Sequence, residues 1–150
     1  DDRKLFEMLL LESFQAGLSW ECILNKREAF RKAFDGFDYR LIASYDEQKM
    51  ESLRQDASII RNKLKIKAAV KNAQVFMDIQ KEFGSFDQYI WGFTKGETIH
   101  ENNLTSSPLS DKISKDLYRR GMRFIGTTII YSYLQAIGII FSHEDDCFLS

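Results

Sequence analysis

Proline occurs once and glycine eight times in 150 residues, too few turn formers for a sandwich or barrel of short strands, and β-branched runs are scarce as well. Cysteine occurs only twice, at Cys22 and Cys147, which is too little for a disulfide scaffold and fits a reducing, cytoplasmic setting. Net charge is nearly absent: 21 Lys and Arg against 22 Asp and Glu leave −1, so no global field draws the chain onto nucleic acid or anionic lipid. Any such affinity must be local. No basic-then-apolar signal segment opens the chain, which passes from Asp1-Asp2-Arg3-Lys4 straight into Leu5-Phe6-Glu7-Met8-Leu9-Leu10-Leu11. So abrupt and apolar a start leads to the expectation that a natural N-terminal segment precedes it. The one long uncharged run, Phe124 to Ser142, contains Gly126, Thr127, Thr128, Ser132, Gln135 and Gly138 and is too polar to span a membrane. It reads as a central buried helix, and no membrane partner is expected.

What remains is a sequence 44% hydrophobic and 29% charged, enough for one all-α domain over residues 1–150. Apolar residues from Leu5 to Phe14 sit almost all round a helical wheel, which predicts a buried helix over 2–16 stopped by Gly17. Ser19 is a good cap for a second helix carrying Trp20, Ile23, Leu24, Ala29, Phe30 and Phe34, with Gly36 ending it. Short helices are expected near 38–44 and 46–55, and a long amphipathic one through Ile66, Ala69, Val70, Ala73 and Phe76 to about Phe83. Another short helix is expected over 86–93, followed by a long loop over 94–108. Ser110 is predicted to cap a helix ending at Arg120-Gly121, and the buried helix to run from about 126 to 140.

Charge is strongly segregated. Residues 54–72 hold six basic residues (Arg54, Arg61, Lys63, Lys65, Lys67, Lys71) and one acid, and residues 112–123 hold five basic residues and one acid. Both runs could be solvated helix faces. The first points further, because Arg61-Asn62-Lys63-Leu64-Lys65 reads as a basic turn between two helices, where free backbone N–H groups and a positive dipole end would meet a phosphate.

Glu12 stands among Leu9, Leu10, Leu11 and Phe14, where an ionised carboxylate is costly unless a cation or hydrogen-bond donor meets it. A structural pair with a core-facing Arg or Lys is one reading. The other is a carboxylate kept in a pocket to meet a cationic ligand or activate a nucleophile. Glu7, Glu21 and Glu28 are rivals in surroundings that look more solvated. Trp20, across the turn from Glu12, is either core or the wall of a pocket that stacks on a flat ring.

Three ordered motifs converge: Leu11-Glu12-x-x-Gln15-Ala16-Gly17-Leu18-Ser19-Trp20, Asp56-Ala57-x-Ile59-Ile60-Arg61-Asn62, and Arg120-Gly121-x-x-Phe124-Ile125-Gly126-Thr127-Thr128 continuing to Gln135-Ala136-x-Gly138. Over nearly the whole chain they resemble the 3-methyladenine DNA glycosylase I family of the helix-hairpin-helix superfamily. The resemblance implies a single-domain helical bundle that excises 3-methyladenine from double-stranded alkylated DNA as a monomer, without a catalytic cofactor. By the same resemblance Glu12 is the pocket carboxylate and catalytic residue, and Trp20 stacks on the extruded base. Gln15 and Leu18 fill or wedge the duplex, and Ile60, Arg61, Asn62, Lys63, Leu64 and Lys65 form the phosphate-gripping hairpin.

Two departures accompany it. The hairpin has no glycine, so Asn62 is expected to supply a left-handed turn. The family's N-terminal segment, which brings further aromatics to the pocket and a cysteine and a histidine to a structural zinc site, is not in this sequence. His143 and Cys147, spaced i, i+4, would be the C-terminal half of that site, so no zinc or an incomplete zinc site is expected. His100 is expected to be solvated. Rival functions are a helix-hairpin-helix glycosylase for another lesion, a non-catalytic DNA-binding protein, and a helical protein-interaction module.

Overall fold

The computed structural model describes residues 1–15, 20–56, 59, 62–101 and 104–141, apart from the side chains of Gln15, Trp20, Cys22, Ile23 and Leu24. The chain runs through α1 (Asp2–Gln15), α2 (Trp20–Ala33), a 3-10 turn (Asp35–Phe37), α3 (Tyr39–Ala43), α4 (Glu47–Arg54), α5 (Lys63–Phe83) and α6 (Phe86–Gly92). Then come β1 (Ile99–His100), α7 (Pro108–Arg120), α8 (Thr127–Ala136) and β2 (Ile140–Phe141). The expected Gly17 stop and Ser19 cap lie outside the described residues.

The all-round apolarity of α1 has its counterpart in packing. Leu5, Phe6, Leu9, Leu10, Leu11 and Phe14 are buried, and α2, α5, α6 and α8 all touch this helix. Phe6 meets Phe76 of α5 edge-on at 5.3 Å, and the Tyr133 hydroxyl of α8 donates to the Leu5 carbonyl at 2.9 Å. Asp2 ties the start of α1 to α6, its carboxylate accepting from the Phe86 and Asp87 backbone N–H groups at 2.8 and 3.0 Å. These are two of the donors that a helix start leaves without partners.

Several boundaries differ from the expectations, each for a physical reason. Helix α2 stops at Ala33, and the chain turns through Asp35–Phe37 with Gly36 at φ +68°. Ser107, not Ser110, caps α7; Ser110 is the reciprocal partner, its hydroxyl oxygen accepting from the Ser107 backbone N–H in a capping box, and Pro108 fills the first helical position, where no N–H is needed. The uncharged run is not helical to 140. Helix α8 ends at Ala136, Gly138 turns at φ +88°, and β2 pairs in parallel with β1, Ile140 opposite Ile99 and Phe141 opposite His100. The expected loop over 94–108 therefore contains a two-residue strand. His100 is exposed, its ring 5.6 Å from that of Phe141.

Helices α5, α6 and α7 are stapled by charge. Asp116 accepts from the Tyr89 hydroxyl at 2.5 Å, from Arg119 at 2.5 Å and from Arg120 at 2.8 Å, while Arg120 also reaches Glu82 at 3.0 Å. Burial works against the charge on Asp116, but these donors outweigh it and hold the carboxyl at about 2, below its ordinary 3.8. A depressed carboxyl stabilises the fold above its unfolded value and loses that contribution as pH falls through the folded one. Asp116→Asn is expected to lower stability at pH 7 by about 2 kcal/mol. In thermal unfolding the gap should close as pH falls from about 4 toward 2; a gap that persists at pH 2 would mean packing, not charge, carries it.

Candidate active site

Glu12 lies on the last turn of α1, 2% exposed, and its Oε2 has no hydrogen-bond partner. Among the described residues no Lys or Arg forms an ion pair with it, so the structural-pair reading finds no support there. Burial pushes its carboxyl up to about 8 from an ordinary 4.5, and among the described residues no cation opposes the shift. Together with Asp2 and Asp87, its charge also adds to burial in pushing the Tyr133 phenol well above its ordinary value, so Glu12 and α8 share one electrostatic environment.

Glu7, whose surroundings read as more solvated than those of Glu12, is also buried, with a side chain 7% exposed. It is not orphaned: Arg27 of α2 donates to Oε2 from Nε at 2.6 Å and also engages it through Nη2, and Arg31 stands 3.9 Å away. Two carboxylates on one helix thus have opposite settings. Glu7 is neutralised by α2, whereas Glu12 is buried with no counter-charge among the described residues, a setting that costs stability and commonly marks a functional site. Glu28 is largely exposed and pairs with Arg31, and Glu21 is exposed.

The hairpin residues fall differently from the expectation. Asn62 is not left-handed: at φ −105° and ψ +110° it is extended and caps α5, its side chain accepting from the Lys65 backbone N–H at 3.1 Å. Asn62 thus serves α5 through its side-chain oxygen as a cap and not through the left-handed turn expected of it. Lys63, Leu64 and Lys65 are the first turn of α5 and not part of an inter-helix turn. Lys63 and Leu64 are exposed. Lys65 is half-buried; its ammonium donates to the Phe14 carbonyl at 3.3 Å and lies 6.0 and 5.9 Å from the ring centres of Phe14 and Phe124. Burial lowers its pKa. The contact puts a cation on one of the last carbonyls of α1, where the helix dipole favours it, and joins the first turn of α5 to the helix that carries Glu12.

A family model for methyladenine glycosylase matches residues 1–150. The chain belongs to that family. DNA-3-methyladenine glycosylase 1 of Escherichia coli strain K12 is a family member 42% identical over 154 residues, covering 98% of this chain and 82% of the relative. DNA-3-methyladenine glycosylase of Haemophilus influenzae is 38% identical over 153 residues, covering 98% of this chain and 83% of the relative. A Tyr-to-Phe variant of 3-methyladenine DNA glycosylase I, solved in complex with 3-methyladenine, superposes with a TM-score of 0.93 at 32% identity, over 99% of this chain and 83% of that one.

Within this methyladenine glycosylase fold, α1 and α2 place Glu12 and the backbone of Trp20 on either side of residues 16–19. Leu18, Ile60, Arg61, His143 and Cys147 lie outside the described residues, as do the side chains of Gln15 and Trp20. Among the described residues no group of three or more His, Cys, Asp or Glu is placed to hold a metal ion, and no helix is long and apolar enough to cross a membrane. Sequence reasoning missed the second function of Lys65, since its partner Phe14 is 51 residues away and no local pattern announces the contact.

Proposed function

We propose that this chain hydrolyses the N-glycosidic bond of 3-methyladenine in alkylated double-stranded DNA. The observation that carries the reading is Glu12, a buried carboxyl with an unpartnered oxygen and, among the described residues, no cation paired with it. Methylation at N3 puts a positive charge on the purine, so the damaged base is a cation and the normal one is not. A dry carboxylate then selects the lesion by charge. Fission of the C1′–N9 bond returns its electron pair to the purine, which leaves neutral. The positive charge moves to the sugar, so it stays within reach of the carboxylate throughout. Water adds to C1′ and loses a proton, leaving an abasic sugar. Extruding the nucleotide costs a few kcal/mol, and Gln15 and Leu18 at the turn after Glu12 would offset part of the lost stacking. Trp20 would supply an aromatic face for the cationic ring.

The hairpin supports the DNA half of this reading. Lys63 is exposed at the N-terminus of α5, where the dipole and free N–H groups favour a phosphate. Lys63→Ala is expected to lower the slope of log affinity against log salt by about 0.9 on any duplex. Lys65→Met, which keeps the stem and removes the ammonium from the Phe14 carbonyl, should change that slope little and slow base release, because it loosens the end of α1. The reverse pattern would make Lys65 the phosphate contact. The function itself is tested by chromatography of free base released from methylated duplex: release of 3-methyladenine is expected, and binding to abasic DNA without release of any base would favour the non-catalytic reading.

A further inference from the structure

Beyond the hairpin, a second surface stands out. Leu64, Lys67, Ala68 and Lys71 follow one another at helical spacing along one side of α5, and Arg123 and Phe124 form the facing wall of a groove of about 430 Å³. Three of its six lining residues are cations, none is an acid, and two apolar side chains are left in solvent, Leu64 at 67% and Phe124 at 39%. Phe124 is held there against its preference: its φ is +59°, a region bulky residues rarely adopt. Asn72 of α5 imposes the loop conformation, donating to the Arg123 carbonyl at 3.0 Å and accepting from the Arg123 N–H at 2.9 Å.

The cations are also placed rather than loose. The Lys71 stem passes over Gly121, where a Cβ would meet its Cε at 3.1 Å. The Arg123 guanidinium lies 4.0 Å from the centre of the Tyr118 ring and donates to the Met122 carbonyl at 2.8 Å. Phe124 in turn shares the Lys65 ammonium with Phe14, so the groove adjoins the end of the Glu12 helix.

We propose that this groove seats the sugar–phosphate backbone of undamaged DNA flanking the lesion, with phosphates against Lys67, Lys71 and Arg123 and deoxyriboses against Leu64 and Phe124. Charge complementarity selects a polyanion, and alternating cationic and apolar walls suit a backbone that alternates phosphate and sugar. Lys67 and Lys71 are four residues apart, about 6 Å along the helix axis, close to one step between neighbouring phosphates of a strand. The proposal rests on the glycosylase reading and extends its DNA surface past the hairpin by Lys67, Lys71, Arg123 and Phe124.

The test is the salt dependence of binding to an undamaged duplex, measured for the full chain, for Lys67→Gln/Lys71→Gln, and for Lys81→Gln, an exposed control ten residues further along α5. The slope of log affinity against log salt should fall by about 1.8 in the double variant. Its affinity loss between 50 and 200 mM salt should then be about tenfold smaller than that of the full chain. Lys81→Gln should match the full chain, and thermal unfolding checks that each variant folds. An unchanged slope in a folded double variant overturns the proposal, as does a slope that Lys81→Gln lowers equally. A change in self-association instead of slope would make the groove a contact between copies and also overturn it. Base release by the full chain is read separately, so a chain that excises with no slope change fails only the groove, and one that shows the slope change without excising fails only the enzymatic reading.

Discussion

Glu12→Gln is expected to reduce release of 3-methyladenine by about 100-fold or more, the range in which positioned acid–base groups act, while changing affinity for undamaged duplex less than twofold. The substitution keeps size and shape, removes the charge and exchanges one acceptor oxygen for an amide donor. It should also make the protein more stable at alkaline pH. In the folded chain the carboxyl is raised from 4.5 to about 8, so the folded state holds its proton where the unfolded chain has released it. Stability linked to that proton is present in full below the unfolded value and is lost as pH rises through about 8. A glutamine has nothing to lose, so the unfolding midpoint of the variant should exceed that of the parent at pH 8 to 9 and approach it near pH 4. Lower activity with higher stability from one atom's exchange is the signature of a group retained for function. Equal losses of excision and DNA binding would show instead that Glu12 supports the fold of the DNA-binding surface.

Arg27→Met should produce the largest loss of stability. Arg27 is the main counter-charge to buried Glu7, and removing one partner of a buried pair typically costs about 3–5 kcal/mol. Arg31, 3.9 Å from the same oxygen, offsets part of that loss. About 3 kcal/mol corresponds to a fall of about 6–12 °C in the unfolding midpoint for a domain of this size. The cause is the stranded carboxylate, so Glu7→Gln in the Arg27→Met background should recover most of the loss. A double variant no better than Arg27→Met would mean that the arginine acts through its packing against α1 and not through its charge.

The two carboxylates show what the sequence made legible. Glu12 could be picked out because Met8, Leu9, Leu11 and Phe14 crowd it along the helix. Glu7 has apolar neighbours too, but its fate depends on Arg27, twenty residues away, and no periodicity carries that pairing. The same division holds for the fold. Helices α1 and α5 follow from apolar spacing, and the Gly121 stop from local chemistry, whereas the pairing of Ile99 with Ile140 joins segments too short to show a period of two. Asn62 was read for its tolerance of positive φ, and the structure uses its side-chain oxygen as a cap. Both roles belong to asparagine, and only the entry angle of the chain into α5 decides between them.

The central claim is that an ionised Glu12 meets a cationic base in a dry pocket, and the pH profile of kcat/KM for base release from methylated duplex tests it most directly. For the full chain, kcat/KM should rise about tenfold per pH unit and level off near pH 8, the value of the free carboxyl. The rising limb should be absent in Glu12→Gln. A profile flat across pH 6 to 9 in the full chain, or a limb that survives the substitution, would contradict the claim.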